Sequence, residues 1–322
     1  MWPPIFIRSM TPEALAGWPP PVFDPAGPYA GSIATLSWVL VAMAILVLII
    51  VLAALWAALF GSQRLRARLG GKAVIWAGGI VFPVVVLTAL LIYGLTLTRH
   101  LTASPADGAM RVRVTGEMWW WRVDYLGADG RVQMRDANEL HIPAGRPVVV
   151  ELESNDVIHS FWVPRLSGKL DMIPGRRNIM QIEATAPGVF GGQCAEYCGG
   201  PHALMGFVVV AHTPAAFERL MAERSAPKAR ARETAGAELF RSSGCAACHR
   251  IAGTANGTAG PDLTHVGSRR SLGAGILPNN RGTMMGWIGD SQAIKPGNRM
   301  PPYKVLSGKE LEALAIYLEA QT

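Results

Sequence analysis

The chain has 322 residues, half of them hydrophobic, only 16% charged, with a formal net charge of +7. That length corresponds to roughly two domains at about 150 residues each, and the apolar content excludes a disordered or collagen-like chain. Four cysteines are too few to staple a chain this long, and no Lys/Arg run is interleaved with aromatics, so nucleic acid is not an expected partner.

Residues 1–31 lack the basic and apolar stretches of a signal peptide and read as an exported, Pro-rich lead-in. Residues 32–100 read as a two-helix transmembrane hairpin. Trp38 to Phe60 is an unbroken apolar run, about 34 Å long as a helix, which exceeds a hydrocarbon core of about 30 Å. Ala73 to Thr98 also carries no charge, and its Gly78, Gly79 and Pro83 are tolerable inside a membrane. The short connection 61–72 holds Arg64, Arg66, Arg68 and Lys72 and no acid, which places it in the cytoplasm and both termini outside.

Residues 101–221 read as strands. Val148, Val150 and Leu152 alternate with Val149, Glu151 and Glu153, and Gly-Ala-Asp-Gly at 127–130 and Pro-Ala-Gly at 143–145 mark turns, the pattern of a β-sandwich or Greek-key barrel. Residues 222–233, rich in Ala, Arg and Glu with Pro227, read as a linker or a frayed helix. Residues 234–322 are helical, and Ser307 with Glu310 forms a capping box before the apolar stripe Leu311, Leu314, Ala315 and Leu318. The fold class is therefore a multi-domain membrane protein with an α-hairpin, an all-β domain and an all-α domain.

All four cysteines fall in two compact motifs. The first is Cys194-Ala-Glu-Tyr-Cys198-Gly-Gly-Pro-His202-Ala-Leu-Met205, with His159 about 35 residues upstream. Two thiolates, two imidazoles and a thioether are soft or borderline ligands that suit copper better than magnesium or calcium. A Cys194–Cys198 disulfide and a zinc site are the competing readings; zinc has no need of the thioether. The second motif, Cys245-Ala-Ala-Cys248-His249, is the c-type haem attachment pattern, two thiols for the haem vinyls and a histidine for the iron.

GEMWWWRVDY (116–125), DVIHSFWVP (156–164), GKLDMIPGR (168–176) and CAEYCGGPHALM (194–205) resemble cytochrome c oxidase subunit II over roughly residues 32–212. The resemblance implies a cupredoxin-like domain holding a binuclear copper centre, CuA. Cys194 and Cys198 would bridge the coppers, with His159, His202, Met205 and the backbone carbonyl of Glu196 completing the set. It also implies that Trp119 conducts electrons into CuA, and that Asp171 and the Glu196 side chain lie near a magnesium at the subunit I interface. One position departs: where many members carry a glutamate before the tryptophan of the second span, this chain has Ala73, and no proton-uptake residue is assigned.

Residues 232–322 resemble class I cytochrome c, with an opening helix near Ala235–Arg241, Gly260-Pro261-Asp262-Leu263 and a closing helix. Met284, Met285, Met300 and His265 are the candidates for the second axial ligand. Met300 is preferred, because Gly297-Asn-Arg-Met300-Pro-Pro is a stiff loop just before the last helix.

Together these parts imply subunit II of a cytochrome c-containing haem–copper oxidase in a bacterial plasma membrane. Its haem c would reduce CuA, and CuA would reduce subunit I, where dioxygen becomes water. The expected partners are subunit I, the other oxidase subunits, and a cytochrome c or quinol–cytochrome c reductase as donor. The linker at 222–233 would set the effective concentration of a tethered haem domain. Other readings are an electron-transfer subunit of a nitric or nitrous oxide reductase and a copper-delivery factor; quinol oxidase subunits share the fold but lack the copper ligands.

Overall fold

The computed structural model describes residues 20–102, 108–226 and 234–322; residues 1–19 of the lead-in and 227–233 of the linker lie outside the described residues. The described residues form two compact units, one within 31–104 and one made of those up to Ala30 together with those of 105–322.

The first unit holds the apolar helices. Helix α1, Pro28–Phe60, is longer than its apolar run, and its side chains beyond Trp38 are almost all exposed, as a lipid-facing helix requires. The basic segment read as a loop is partly helical. Its Gln-Arg-Leu-Arg-Ala-Arg-Leu run contains only good helix formers, so α2 forms over Gln63–Leu69, capped by the Ser62 hydroxyl, and ends at Gly70. Helix α3, Lys72–Trp76, passes through a π-helical turn at Ala77–Val81 into α4, Phe82–Leu101. Pro83 has no N–H and its ring would press on the carbonyl four residues back. A widened turn at Gly78 and Gly79 accommodates this without ending the helix.

In the second unit, ten strands form two five-stranded sheets. Strands β1 (Met110–Glu117), β2 (Trp120–Leu126), β3 (Val132–Ala137), β4 (Glu139–Pro143) and β5 (Val148–Ser154) are followed by β6 (His159–Trp162), β7 (Lys169–Met172), β8 (Asn178–Ile182), β9 (Gly188–Cys194) and β10 (Gly206–His212). One sheet runs β3-β2-β1-β5-β8 and the other β4-β10-β9-β6-β7, with parallel pairing only at β1·β5 and β4·β10. Val112, Val114, Val150, Leu152, Phe161, Phe207 and Val209 fill the space between them. The period-two pattern at 148–153 marks a strand, yet Val149 and Glu151 are buried too. Glu151 is tolerated there because Arg111 and Arg113 both bond its carboxylate.

Helix α5 covers Pro214–Ser225, started by the Thr213 hydroxyl and Pro214, so residues 222–225 of the expected linker are its last turn. The cytochrome-like part contributes α6 (Ala235–Ser242), α7 (Cys245–Cys248), α8 (Arg281–Ile294) and α9 (Gly308–Glu319), and the Ser307/Glu310 capping box forms as expected. Ala237, Phe240, Met284, Ile288, Leu314 and Leu318 make its core.

The haem-type domain is not simply tethered to the β domain. Asp136 of β3 is clamped between Arg224 of α5, at 2.6 Å, and Arg269, at 2.8 Å, and all three are buried. Glu139 accepts the Arg270 N–H, Arg122 donates to the Thr258 carbonyl, and Ala274 packs with Trp120 and Ala137. Uncompensated charges could not be buried at such a junction.

A candidate metal centre and a haem cradle

The first cysteine motif follows β9 directly. Cys194 ends that strand, the chain loops out through Cys198 and His202, and Met205 returns it to β10, so loop ligands are gripped by two paired strands. The Cys194 N–H donates to the Met205 carbonyl at 3.0 Å, which closes the loop at its base. His159 arrives from β6, next to β9 in the same sheet. Gly116 makes room for it: a Cβ there would stand 2.6 Å from the His159 ring.

The ligand atoms converge. Cys194 and Cys198 are free, with sulfurs 3.8 Å apart, about twice a disulfide bond. His159 Nδ1 lies 3.8 Å from Cys194 Sγ, His202 Nδ1 is 3.4 Å from Cys198 Sγ and Met205 Sδ is 3.8 Å from the same sulfur. The Cys194 thiol donates to the Glu196 carbonyl at 3.2 Å. His159, Cys194, Cys198 and Met205 are buried; His202 is partly exposed. Behind them, Trp121 packs edge-on against Phe161 and close to Phe207.

The electrostatics suit a cation. The hydrogen bond shared with Cys198, ahead of that shared with His159, draws the Cys194 pKa down, while the same partnership and burial push Cys198 up. Burial alone would lower the His159 pKa, but its bonds to Cys194 and Asp156 outweigh it and raise the value. Asp156 was not anticipated from sequence. Its carboxylate accepts from His159 Nε2 at 2.8 Å and from the Met118 and Val157 N–H groups. That bond fixes the ring so that Nδ1 faces the sulfurs, the usual device for orienting a metal-bound histidine. A carboxylate three residues before a ligand histidine was the available signal. Burial opposes ionisation of Asp156, yet these bonds hold its pKa below the ordinary value.

Trp119 sits in the β1–β2 turn, and its indole Nε1 donates to the Cys198 carbonyl at 2.9 Å. Its neighbours Trp120 and Trp121 are buried, so the three tryptophans have separate roles. Asp171 lies half-exposed on β7, and its carbonyl accepts from Asn178. The Glu196 carboxylate accepts from the Tyr197 N–H. Among the described residues, neither carboxylate belongs to a cluster of three metal-type ligands.

In the second motif, α7 carries Cys245 and Cys248, and His249 follows. His249 Nδ1 lies 2.8 Å from the Pro261 carbonyl, which takes that nitrogen as donor and leaves Nε2 for a ligand. Burial pushes the His249 pKa down, favouring the neutral, metal-binding imidazole. A Cβ on Gly260 would come within 2.7 Å of the ring, so the close fit needs glycine. Met285, Met300, Tyr303 and Leu306 are only partly buried at the edge of the core, an apolar lining for a flat apolar group. Met284 is buried within the core. The Met300 backbone accepts from Ser291 and Gln292, and its N–H donates to Asn298. His265 is buried. The donor sets fit copper at the first site and a covalent haem at the second.

These two cradles define a copper-type electron-transfer domain joined to a c-type cytochrome. Residues 124–212 match the periplasmic domain of cytochrome c oxidase subunit II, and residues 233–322 match cytochrome c. "Cytochrome c oxidase subunit 2" of Alkalihalophilus pseudofirmus is 34% identical over 92% of this chain and 89% of its own. The protein of the same name from Bacillus subtilis is 29% identical over 99% and 97%. The solved periplasmic domain of subunit II of cytochrome oxidase from Bradyrhizobium japonicum is 28% identical over 38% of this chain and 96% of its own, with a TM-score of 0.35. The chain belongs to the cytochrome c oxidase subunit 2 family, on the strength of the long-range relatives. It is the electron-accepting subunit of an oxidase, with copper and haem as cofactors, and a membrane-anchored protein with an exported domain.

Proposed function

We propose that the chain carries electrons from haem c to a binuclear CuA centre and on to subunit I. The observation that carries this is the convergence of two sulfurs, two imidazole Nδ1 atoms, a thioether and a carbonyl within 3.2–3.8 Å of one another's sulfurs, in a domain packed against a haem cradle. When bound, the copper pair and the haem would supply the one-electron chemistry.

The protein's task is to hold still. Cys194, Cys198, His159, His202, Met205 and the Glu196 carbonyl would hold the coppers. The strands β6, β9 and β10 and the aromatic wall oppose rearrangement when charge changes. Trp119 joins the protein surface to the Cys198 carbonyl by one hydrogen bond, a short covalent and hydrogen-bonded route to the Cys198 sulfur. Cys245 and Cys248 would anchor the haem, and His249 Nε2 and Met300 would hold its iron. Asp171 and the Glu196 side chain are assigned to a magnesium shared with subunit I, which would complete that site. The two apolar helices form a multi-pass anchor in a bacterial plasma membrane with residues 61–72 in the cytoplasm, and a cytochrome c or quinol–cytochrome c reductase is the donor.

Elemental analysis and spectroscopy of the purified chain test the reading. About two coppers and about one iron per chain are expected, with a mixed-valence copper signal and a methionine–iron charge-transfer band that Met300→Ala removes while the haem stays covalently bound. Zinc, a single copper, or silent Cu(I) alone would refute it.

A further inference from the structure

A lysine is almost never fully buried without partners. Lys295, which follows α8 in the cytochrome domain, is 2% exposed and reaches out of its own domain. Its Nζ donates to the Trp119 carbonyl at 2.7 Å, the Leu204 carbonyl at 2.8 Å and the Gly273 carbonyl at 3.0 Å. Three acceptors match the three donors of an ammonium, with none left over. Trp119 is the residue whose indole bonds the Cys198 carbonyl, and Leu204 lies in the loop between His202 and Met205. Gly273 belongs to the tip of a small two-stranded turn, Ser271–Leu272 paired with Leu277–Pro278. The same tip gives its Ala274 carbonyl to the Gly206 N–H, one residue past Met205. One side chain of the haem domain therefore ties together the aromatic turn, the ligand loop and its own domain's projecting tip.

We propose that Lys295 is a positioning residue for electron transfer between the two domains: it locks the cytochrome domain in one orientation against the copper-ligand loop and the Trp119 turn. This rests on the reading of the two sites given above. Desolvation of the ammonium is costly, so it is retained only where its three hydrogen bonds are all made, and all three are made only in the docked arrangement. Lysine serves better than arginine because the three carbonyls surround a point charge, whereas a planar fork needs acceptors in its own plane.

The test uses the full chain in detergent and reads hydrogen exchange at the Gly206 and Arg270 amides, which donate across the junction to Ala274 and Glu139. In the wild type both amides should be protected to within about tenfold of the Val209 amide in the core of β10. Lys295→Met keeps an apolar stem and removes the donors. It should speed exchange at both junction amides by at least about tenfold, leave Val209 unchanged, and slow haem-to-copper electron transfer with both optical spectra intact. Lys295→Arg should restore the charge but not the protection. The proposal fails if wild-type Gly206 and Arg270 exchange about a thousandfold faster than Val209, a result that needs no variant to fold. It fails equally if Lys295→Met leaves exchange and transfer rate at wild-type values. Absence of copper or haem would overturn the functional reading instead, and the exchange measurement would still decide the role of Lys295.

Discussion

The copper and haem cradles solve the same problem, holding a redox centre still, in opposite ways. At the copper site the protein does all the converging. His159 and Cys194 come from neighbouring strands, Cys198, His202 and Met205 from one loop closed at its base, and the candidate ligand atoms converge. At the haem site only His249 is held closely, by Pro261 and the space at Gly260, while Cys245 is partly buried and Cys248 is exposed. A bare ion needs its ligands assembled first, because it contributes no surface of its own. A covalent haem brings a large apolar surface of its own, and Met285, Met300, Tyr303 and Leu306 at the edge of the core would line it.

The largest effects test whether the cradles are independent. Cys198→Ser should reduce bound copper to near zero while iron stays at about one per chain, since in the proposed arrangement the haem thioethers would use Cys245 and Cys248. Cys248→Ser should do the reverse, leaving the copper signal and lowering covalent haem. Metal analysis of both variants checks this. Loss of both centres from either change, in folded protein, would mean one site and not two.

Next in size is the junction that both cradles share. Asp136→Ala would leave Arg224 and Arg269 buried without their carboxylate, which should destabilise the exported unit by about 3–5 kcal/mol. Burial would raise the Asp136 pKa, but Arg269 and Arg224 overcome it and lower it. The sign follows: the carboxylate's stabilisation is complete above its unfolded value near 4 and is lost as pH falls through the lower folded value. Denaturation midpoints at neutral and acid pH measure both claims, and the difference between wild type and Asp136→Ala should shrink in acid.

The metal-binding residue types were legible in the sequence because two short motifs hold every cysteine. The supporting residues were not. Asp156 orients His159 through a turn whose geometry only the sheet supplies. Lys295 looks like any surface lysine until the cytochrome domain is placed against Trp119 and Leu204, about 180 and 90 positions away in the chain. The burial of Glu151 also escapes a period-two reading, since alternation marks a strand but does not say that its second face is covered by arginines. The ion pair at Arg224 escapes for the same reason: Arg224 is an ordinary helix residue until Asp136 appears opposite it.

A smaller effect sharpens the contrast at the copper side. Asp156→Asn keeps the size of the side chain but weakens its grip on His159 Nε2. Copper affinity, measured by chelator competition, should fall about 10–100-fold, because a partner one shell away orients a ligand without being one. Covalent haem content should not change. An unaltered affinity would mean that the β6 backbone alone aims the ring.

The smallest effect is expected at the haem side, far from any ligand. Ser307 accepts the Glu310 N–H, and the Glu310 carboxylate accepts the Ser307 N–H in return, closing the first turn of α9. Ser307→Ala should cost about 1 kcal/mol, the usual value of an N-cap. Leu314, Ala315 and Leu318 of α9 nevertheless remain buried against Ala237 and Phe240, so the helix should persist with a frayed start. The attached haem should blunt even this loss, since it completes the core that α9 packs on. The midpoint of unfolding should therefore shift more in the chain before haem attachment than after it, while Asp156→Asn, on the copper side, should show no such dependence on haem. Equal shifts with and without haem would show that α9 is held by its own side chains, and that the cytochrome core is complete before the cofactor arrives.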